Sequence, residues 1–280
     1  MVEAAPQTSA WRQHVILGVR VHDLSDAELA KTLQAWLTGD TARIIVTPNP
    51  EFVMNAQRDS EFRNVLSKAD LSLPDGVGLR FAVAALTPER LDHRHTGADT
   101  LVTLAELAAT EKKKMVLLGG SPRKSERAVV SLRERFPGLD IATFDPGIID
   151  EHHVRVSEAT LAGVERLSPQ VIAVALGQGK QERVMEILKH KIPSVRVLIG
   201  IGGASDYISM SVKRAPTSWQ KYGFEWLWRL IQEPWRWKRI LNAAVFFPTR
   251  VVWATLVTGR FLTAIRNVSQ ELKKHFKQTS

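Results

Sequence analysis

The strongest constraint on this chain is an alternation. Short runs rich in β-branched residues occur at HVILGVRV (14–21), RIIVTP (43–48), ADLSLP (69–74), KMVLLGG (114–120), LDIATFD (139–145), QVIAVALG (170–177) and VRVLIGIGG (195–203). Stretches with helical spacing lie between several of them. Apolar residues fall at 27, 29, 30, 33 and 37 in the stretch from Asp26 to Leu37, and at 128, 129, 132 and 136 between Ser125 and Phe136; a third such stretch runs from Gln181 to Ile187. Near-continuous apolar strands alternating with helices predict an α/β fold with a mostly parallel sheet covered on both faces. Turn residues concentrate after the strands, as PNP, PDG, GGSP, GQG and GGAS. In open α/β sheets the ligand crevice lies outside the carboxyl ends of the strands, so these five loops are expected to converge on one edge.

The length of 280 residues and the 44% hydrophobic content suffice for one large core, or one core plus an appendage. A disordered chain would carry fewer aliphatics. The absence of cysteine excludes a disulfide framework and thiolate chemistry. The N-terminal MVEAAPQTSAWRQH has no charged start followed by an apolar run, so it does not read as a secretory signal. No internal repeat or low-complexity segment is evident.

After about residue 205 the pattern changes, with a break at Lys213 to Pro216. The expected division is an α/β body over 14–212 and a helical appendage over 213–280. The formal net charge is +9, and residues 213–280 hold thirteen Lys and Arg against the three acids Glu225, Glu233 and Glu271, so the body is close to neutral. Six of the eight Trp also lie at or beyond 219. Phe224, Leu227, Trp228 and Ile231 fall at i, i+3, i+4 and i+7, an amphipathic helix that Pro234 should kink or end. ILNAAVFFPTRVVWATLV (240–257) is strongly apolar but interrupted by Asn242, Pro248 and Arg250. It is at the lower limit of length for a membrane span, and the charge and proline favour a helix lying on the surface. Clustered cations with Trp suit an anionic bilayer. The alternatives are a tail packed on its own body or on a second subunit, the latter giving a homo-oligomer. Nucleic acid would call for cations along a groove with aromatics spaced for stacking. Here the charge travels with long apolar runs, which points away from nucleic acid.

Asp75, in Leu73-Pro74-Asp75-Gly76-Val77-Gly78, follows a short strand and is placed either for general-base work or as an ordinary Asp-Gly turn. In Thr47-Pro48-Asn49-Pro50-Glu51 two prolines stiffen a loop carrying Thr47 and Asn49, which could orient sugar hydroxyls or could cap the helix from Pro50 to Gln57. Gly119-Gly120-Ser121-Pro122 could hold a phosphate on backbone N–H groups, but it is neither GxGxxG nor a Walker sequence. Gln181, in Gly177-Gln178-Gly179-Lys180-Gln181-Glu182, could make two directed hydrogen bonds to a ligand or could face solvent on an early helical turn. Arg229, Arg236 and Arg239 could clamp a diphosphate in place of a metal ion, or contact lipid headgroups. His93, His95 and the Glu151-His152-His153 run lack zinc-ligand spacing. No acid pair suits a nucleotide-bound divalent ion, so no metal or other cofactor is expected.

The ordered set Thr47-Pro48-Asn49-Pro50-Glu51-Phe52, Pro74-Asp75-Gly76-Val77-Gly78, Thr96-Gly97-Ala98-Asp99, Leu118-Gly119-Gly120, Gly177 through Lys180-Gln181-Glu182, Gly202-Gly203-Ala204-Ser205-Asp206, Lys213-Arg214-Ala215-Pro216, Gly223 through Trp226 to Arg229, and Glu233-Pro234-Trp235-Arg236 resembles the WecG/TagA/CpsF family of bacterial glycosyltransferases. The likeness covers about residues 15 to 240. It implies a Rossmann-like α/β body with a C-terminal appendage. It also implies inverting, metal-independent transfer of an N-acetylmannosamine-type or related sugar from a UDP-sugar to a polyprenyl-pyrophosphate-linked sugar, in building a cell-surface polysaccharide. By this resemblance Asp75 is the base. Thr47, Asn49, Gln181, Gly120, Asp206, Arg229, Arg236 and Arg239 belong to substrate binding. Two departures stand out: Gly179 where the family loop has proline, and Ser205 where the family has phenylalanine. The implied location is the cytoplasmic face of the bacterial inner membrane, peripheral or monotopic. A rival of another class is a non-catalytic, membrane-bound nucleotide-sugar sensor or scaffold.

Overall fold

The alternation resolves into one six-stranded parallel sheet with helices on both faces. The computed structural model describes residues 11–150, 154–203, 208, 215–216, 219 and 225–279. The sheet is built from β3 (Arg43–Val46), β4 (Leu71–Ser72), β5 (Lys114–Gly119), β6 (Asp140–Phe144), β7 (Val171–Ala175) and β8 (Val197–Gly200), in the order β4-β3-β8-β7-β5-β6. Every pairing in it is parallel.

Strand side chains alternate between the two faces, and both faces are apolar because both are covered. Ile44, Val46, Val116, Leu118, Ile172, Val174 and Leu198 enter one core with residues of α2 (Pro50–Arg58), α3 (Ser60–Ser67), α4 (Val77–Leu86), α7 (Glu158–Leu167) and α8 (Lys180–Lys191). Ile45, Met115, Leu117, Val171, Ala173, Val197 and Ile199 enter the other, beneath α1 (Asp26–Thr38), α5 (Gly97–Thr110) and α6 (Pro122–Arg135). β5 is thus followed by a helix on one face and β7 by a helix on the other. A sheet opens a crevice at its carboxyl edge where neighbouring strands send their chains to opposite sides.

The first β-branched run departs from expectation. Instead of joining the parallel sheet, it folds into an antiparallel hairpin, β1 (Arg12–Ile16) and β2 (Val19–Asp23), with Ile16 opposite Val19. Leu17 and Gly18 form the two-residue turn, with φ of 47° and 83°. Two positive φ values give a turn whose twist matches the strands it joins, although leucine rarely occupies one. The hairpin covers the open edge of β4. Ser72 donates its backbone N–H to His22 Nδ1 (3.0 Å) and its hydroxyl to the Arg20 carbonyl (2.6 Å). Exposed strand edges invite pairing with other chains, and here the edge is occupied. Burial, with the Arg20 charge nearby, lowers the His22 pKa to about 4, which suits a ring nitrogen acting as acceptor.

Among the described residues three helices follow: α9 (Glu225–Gln232), α10 (Trp237–Val257) and α11 (Phe261–Thr279). Pro234 opens a single 3-10 turn, Pro234–Arg236, which separates α9 from α10 as the sequence predicts. Within α10 the stretch Asn242–Phe246 widens to π geometry, and Phe247 N–H bonds the Asn242 carbonyl. Pro248 follows immediately. Its ring would collide with the carbonyl four residues back in a regular helix, and the wider turn accommodates it. α10 packs on α2 and α4 through Phe247, Val251 and Thr255, and α11 packs along α4. Glu271 of α11 is buried and ion-paired to Arg80 of α4 and to Arg90 (3.8 Å), while Lys274 reaches Asp92 (3.3 Å).

Candidate active site

The loops after β3 and β4 are built as one unit. Asp75 donates its backbone N–H to the Pro48 carbonyl (2.8 Å), Leu73 donates to Val46 (2.8 Å), and His95 donates to Pro74 (3.1 Å). Asn49 is the N-cap of α2, its side-chain oxygen accepting from Phe52 N–H (3.0 Å), with Pro50 at the first helical position. The capping reading of Asn49 therefore holds, and the cap also fixes where its side chain sits on the loop. Thr47 is buried and donates its hydroxyl to the Gly200 carbonyl (3.3 Å), joining the β3 loop to the end of β8. Two glycines permit this closeness. Gly76 adopts φ of 99°, and a Cβ on Gly78 would lie 2.9 Å from Pro50 Cγ. Asp75 is thereby held, half-exposed, on a rigid turn at the carboxyl edge.

The loop after β7 carries a second polar cluster. Gly177 and Gly179 have φ of 81° and 87°, and α8 starts at Lys180. Gln181 is buried rather than solvent-facing. Its Nε2 donates to Glu182 Oε1 (2.6 Å), and its Oε1 accepts from Gly202 N–H (2.8 Å). It lies flat on β8, since a Cβ on Gly200 would meet Gln181 Nε2 at 2.7 Å. Glu182 is fully buried, and its Oε2 accepts from Gly179 N–H (2.7 Å). Glu182 is the residue that sequence reasoning passed over. A signal existed: an acid three residues after the glycine that starts a helix is half of a capping box.

Burial pushes the Glu182 carboxyl up to about 7, against the lowering effect of hydrogen bonds from Gln181 and Gly179. The folded state then holds a proton that the unfolded state releases nearer pH 4.5. Glu182 accordingly contributes stability that is complete below about pH 4.5 and is lost as pH rises through about 7, a change of about 3 kcal/mol. Urea unfolding at several pH values should show it as a stability difference between wild type and Glu182→Gln that moves against the wild type as pH rises from about 4.5 to about 7. His22 gives the opposite slope in both proteins, because its lowered pKa costs stability as pH falls through about 4.

Thr47, Asn49, Asp75 and Gln181 thus sit on loops leaving β3, β4 and β7, strands that with β8 span about 14 Å of sheet edge. Gly120 follows the next strand, β5, with φ of 78°. Arg239 of α10 reaches the rim of the same edge and pairs with Glu51, in the first turn of α2, at 2.8 to 3.1 Å. Asp206 and the side chains of Arg229 and Arg236 lie outside the described residues. His93 and His95 take ordinary structural roles, with His93 Nδ1 2.8 Å from Asp23 and His95 Nε2 2.8 Å from the Leu24 carbonyl. The Glu151-His152-His153 run lies outside the described residues. Chemically, the edge offers a carboxylate on a stiff turn, polar groups on three neighbouring loops, and a cation at the rim.

Residues 14–260 match the glycosyl transferase WecG/TagA/CpsF family. Among curated proteins, the chain is 34% identical over 199 residues to an N-acetylglucosaminyldiphosphoundecaprenol N-acetyl-beta-D-mannosaminyltransferase of Bacillus subtilis (strain 168), covering 71% of this chain and 75% of the relative. A protein of the same name from Bacillus spizizenii is 31% identical, over 79% of this chain and 84% of the relative. One from Staphylococcus aureus (strain MRSA252) is 26% identical, over 80% and 85%. With an α/β body and a family match across most of its length, the chain belongs to the WecG/TagA/CpsF family of glycosyltransferases.

Proposed function

We propose that this protein transfers an N-acetylmannosamine-type sugar from a UDP-sugar to a sugar carried on a polyprenyl diphosphate, with inversion and without a metal ion. The observation that carries the proposal is the hydrogen-bonded union of the Thr47–Asn49 and Asp75 loops beside Gln181, at the edge where a sheet of this kind binds ligands. The relatives' names, which specify mannosaminyl transfer to a lipid-linked diphosphate sugar, support the sugar and the acceptor class, and the UDP carrier follows from the family resemblance. In this reading Asp75 takes the proton from an acceptor hydroxyl. The oxygen attacks the anomeric carbon as the bond to UDP breaks on the opposite face. Thr47, Asn49, Gln181, Gly120 and Asp206 orient sugars and diphosphate. Arg229, Arg236 and Arg239 stabilise the departing diphosphate, for which Arg239 must exchange its Glu51 partner.

The same reading divides the chain into a catalytic body over 14–212 and a membrane-associating appendage over 213–280. α10 is long and apolar enough to cross a bilayer. One side of it is nevertheless fastened to the body, and Trp253, Leu256 and Val257 are exposed on the other. That distribution favours a helix lying in the leaflet over one that spans it. UDP-sugar supply places the work on the cytoplasmic face. The test is a donor screen with full-length protein in nanodiscs, pairing UDP-sugars with polyprenyl-diphosphate-N-acetylglucosamine, with and without EDTA. EDTA-resistant transfer from an N-acetylmannosamine donor is the expected result. Folded, membrane-bound protein that transfers nothing would overturn the reading in favour of a non-catalytic binder.

A further inference from the structure

We propose that Glu182 is a positioning residue: its carboxylate fixes the Gln181 amide in one orientation and so ties the turn after β7 to the backbone after β8. The inference rests on the proposed place of Gln181 among the substrate contacts. Its structural half stands on donor and acceptor identities alone.

Three donors converge on two neighbouring side chains. Gly179 N–H and one Gln181 Nε2–H point at the two oxygens of Glu182, while Gly202 N–H points at Gln181 Oε1. Once ionised, as it is above about pH 7, the Glu182 carboxyl has only acceptors, whereas a carboxamide has one acceptor end and one donor end. The observed pairs give each of these three donors an acceptor, and they do so in a single arrangement. Gln181 must turn its nitrogen toward Glu182 and its oxygen toward Gly202. Gly200 leaves the room for this amide, since a Cβ there would lie 2.7 Å from Gln181 Nε2. Gly200 in turn accepts from Thr47, so the relay runs from the β7 loop through Glu182 and Gln181 to β8 and on to the β3 loop. A neutral amide at position 182 cannot complete it. If its oxygen faces Gly179, its nitrogen meets the nitrogen of Gln181. If its oxygen faces Gln181, its nitrogen meets Gly179 N–H. Glu182→Gln changes almost no volume yet leaves two donors facing each other in a buried site, where the loss is costly.

Exchanging the two residues resolves the conflict. In the double variant Gln181→Glu with Glu182→Gln, the carboxylate accepts from Gly202 N–H and from the neighbouring amide nitrogen, and that amide's oxygen accepts from Gly179 N–H. The experiment follows backbone amide hydrogen exchange at Gly179 and Gly202, together with steady-state transfer from the UDP-sugar, in the full-length protein at a pH above about 7, where Glu182 is ionised. In Glu182→Gln we expect exchange at Gly179 or Gly202 at least 10-fold faster than wild type, with the remainder of α8 unchanged. The donor KM should rise about 10-fold, with a smaller change in kcat. The exchanged pair should recover the protection. Wild-type protection at both glycines in Glu182→Gln would overturn the proposal. So would faster exchange along all of α8 that the exchanged pair does not repair, since Glu182 would then only support the helix. An unchanged KM with lost protection would remove its part in substrate positioning. If the wild type transfers no sugar, the proposed function fails while the exchange measurements still decide the structural relay.

Discussion

Asp75→Asn will lower kcat by about 10²- to 10⁴-fold, the usual contribution of a positioned general base, and leave the fold and donor binding intact. The substitution is nearly isosteric, and one contact that holds the residue, Asp75 N–H to the Pro48 carbonyl, belongs to the backbone. The turn around it is fixed independently by Gly76 at φ of 99° and by the close approach of Gly78 to Pro50. An asparagine therefore occupies the same place without a group able to take a proton. Single-turnover transfer and donor titration on the same preparation separate the two effects. Turnover near the wild-type rate would remove Asp75 from the base role and return it to a structural turn.

A comparable loss awaits the membrane contact. Leu256 and Leu262 flank the turn between α10 and α11 and are 49% and 80% exposed, beside Trp253 and Val257 at 59% and 70%. On the opposite side of the same helices, Phe247, Val251, Thr255, Ala264 and Glu271 are buried against the body. Replacing both leucines with aspartate therefore leaves the packing untouched and removes apolar surface from the outer side only. Burial of a leucine is worth about 1.5–3 kcal/mol, so the double variant should bind vesicles containing phosphatidylglycerol at least ~100-fold more weakly. Added salt should weaken the wild type as well, by screening Arg250, Arg266 and Lys273, which are exposed on these helices. Sedimentation with vesicles measures both effects. Undiminished binding by the double variant would show that this surface does not meet lipid.

The sheet and its two covered faces were legible because strand and helix impose different periods on the same chain, and each strand from Arg43 onward kept its period. The hairpin at 12–23 was not, because its turn is Leu17-Gly18, and nothing in a leucine signals a positive φ. The π widening of α10 was also hidden, although Pro248 announced that some adjustment was needed there. Within the site, the two prolines of the Thr47–Glu51 loop read correctly as stiffening it and starting α2, since their constraints are local. Gln181 did not: whether an early helical residue faces solvent or the sheet depends on Gly200, nineteen positions away and chosen for the room it leaves. The Arg239 to Glu51 pair was equally invisible, as it joins segments that only the packing of α10 on α2 brings together.

That packing has a kinetic consequence. α10 rests on α2 and α4, the helices that begin at Pro50 and Val77, immediately after the loops bearing Asn49 and Asp75, and Phe247 lies 3.8 Å from where a Cβ of Gly78 would be. In the proposed reading, the segment that meets the leaflet is therefore bolted to the segment that meets the substrate. In that reading an acceptor held in the leaflet by its polyprenyl chain finds its enzyme by lateral diffusion, and velocity follows its mole fraction among the lipids. Diluting the acceptor with inert lipid will slow the reaction, whereas diluting the whole suspension with buffer will leave the turnover of bound enzyme unchanged.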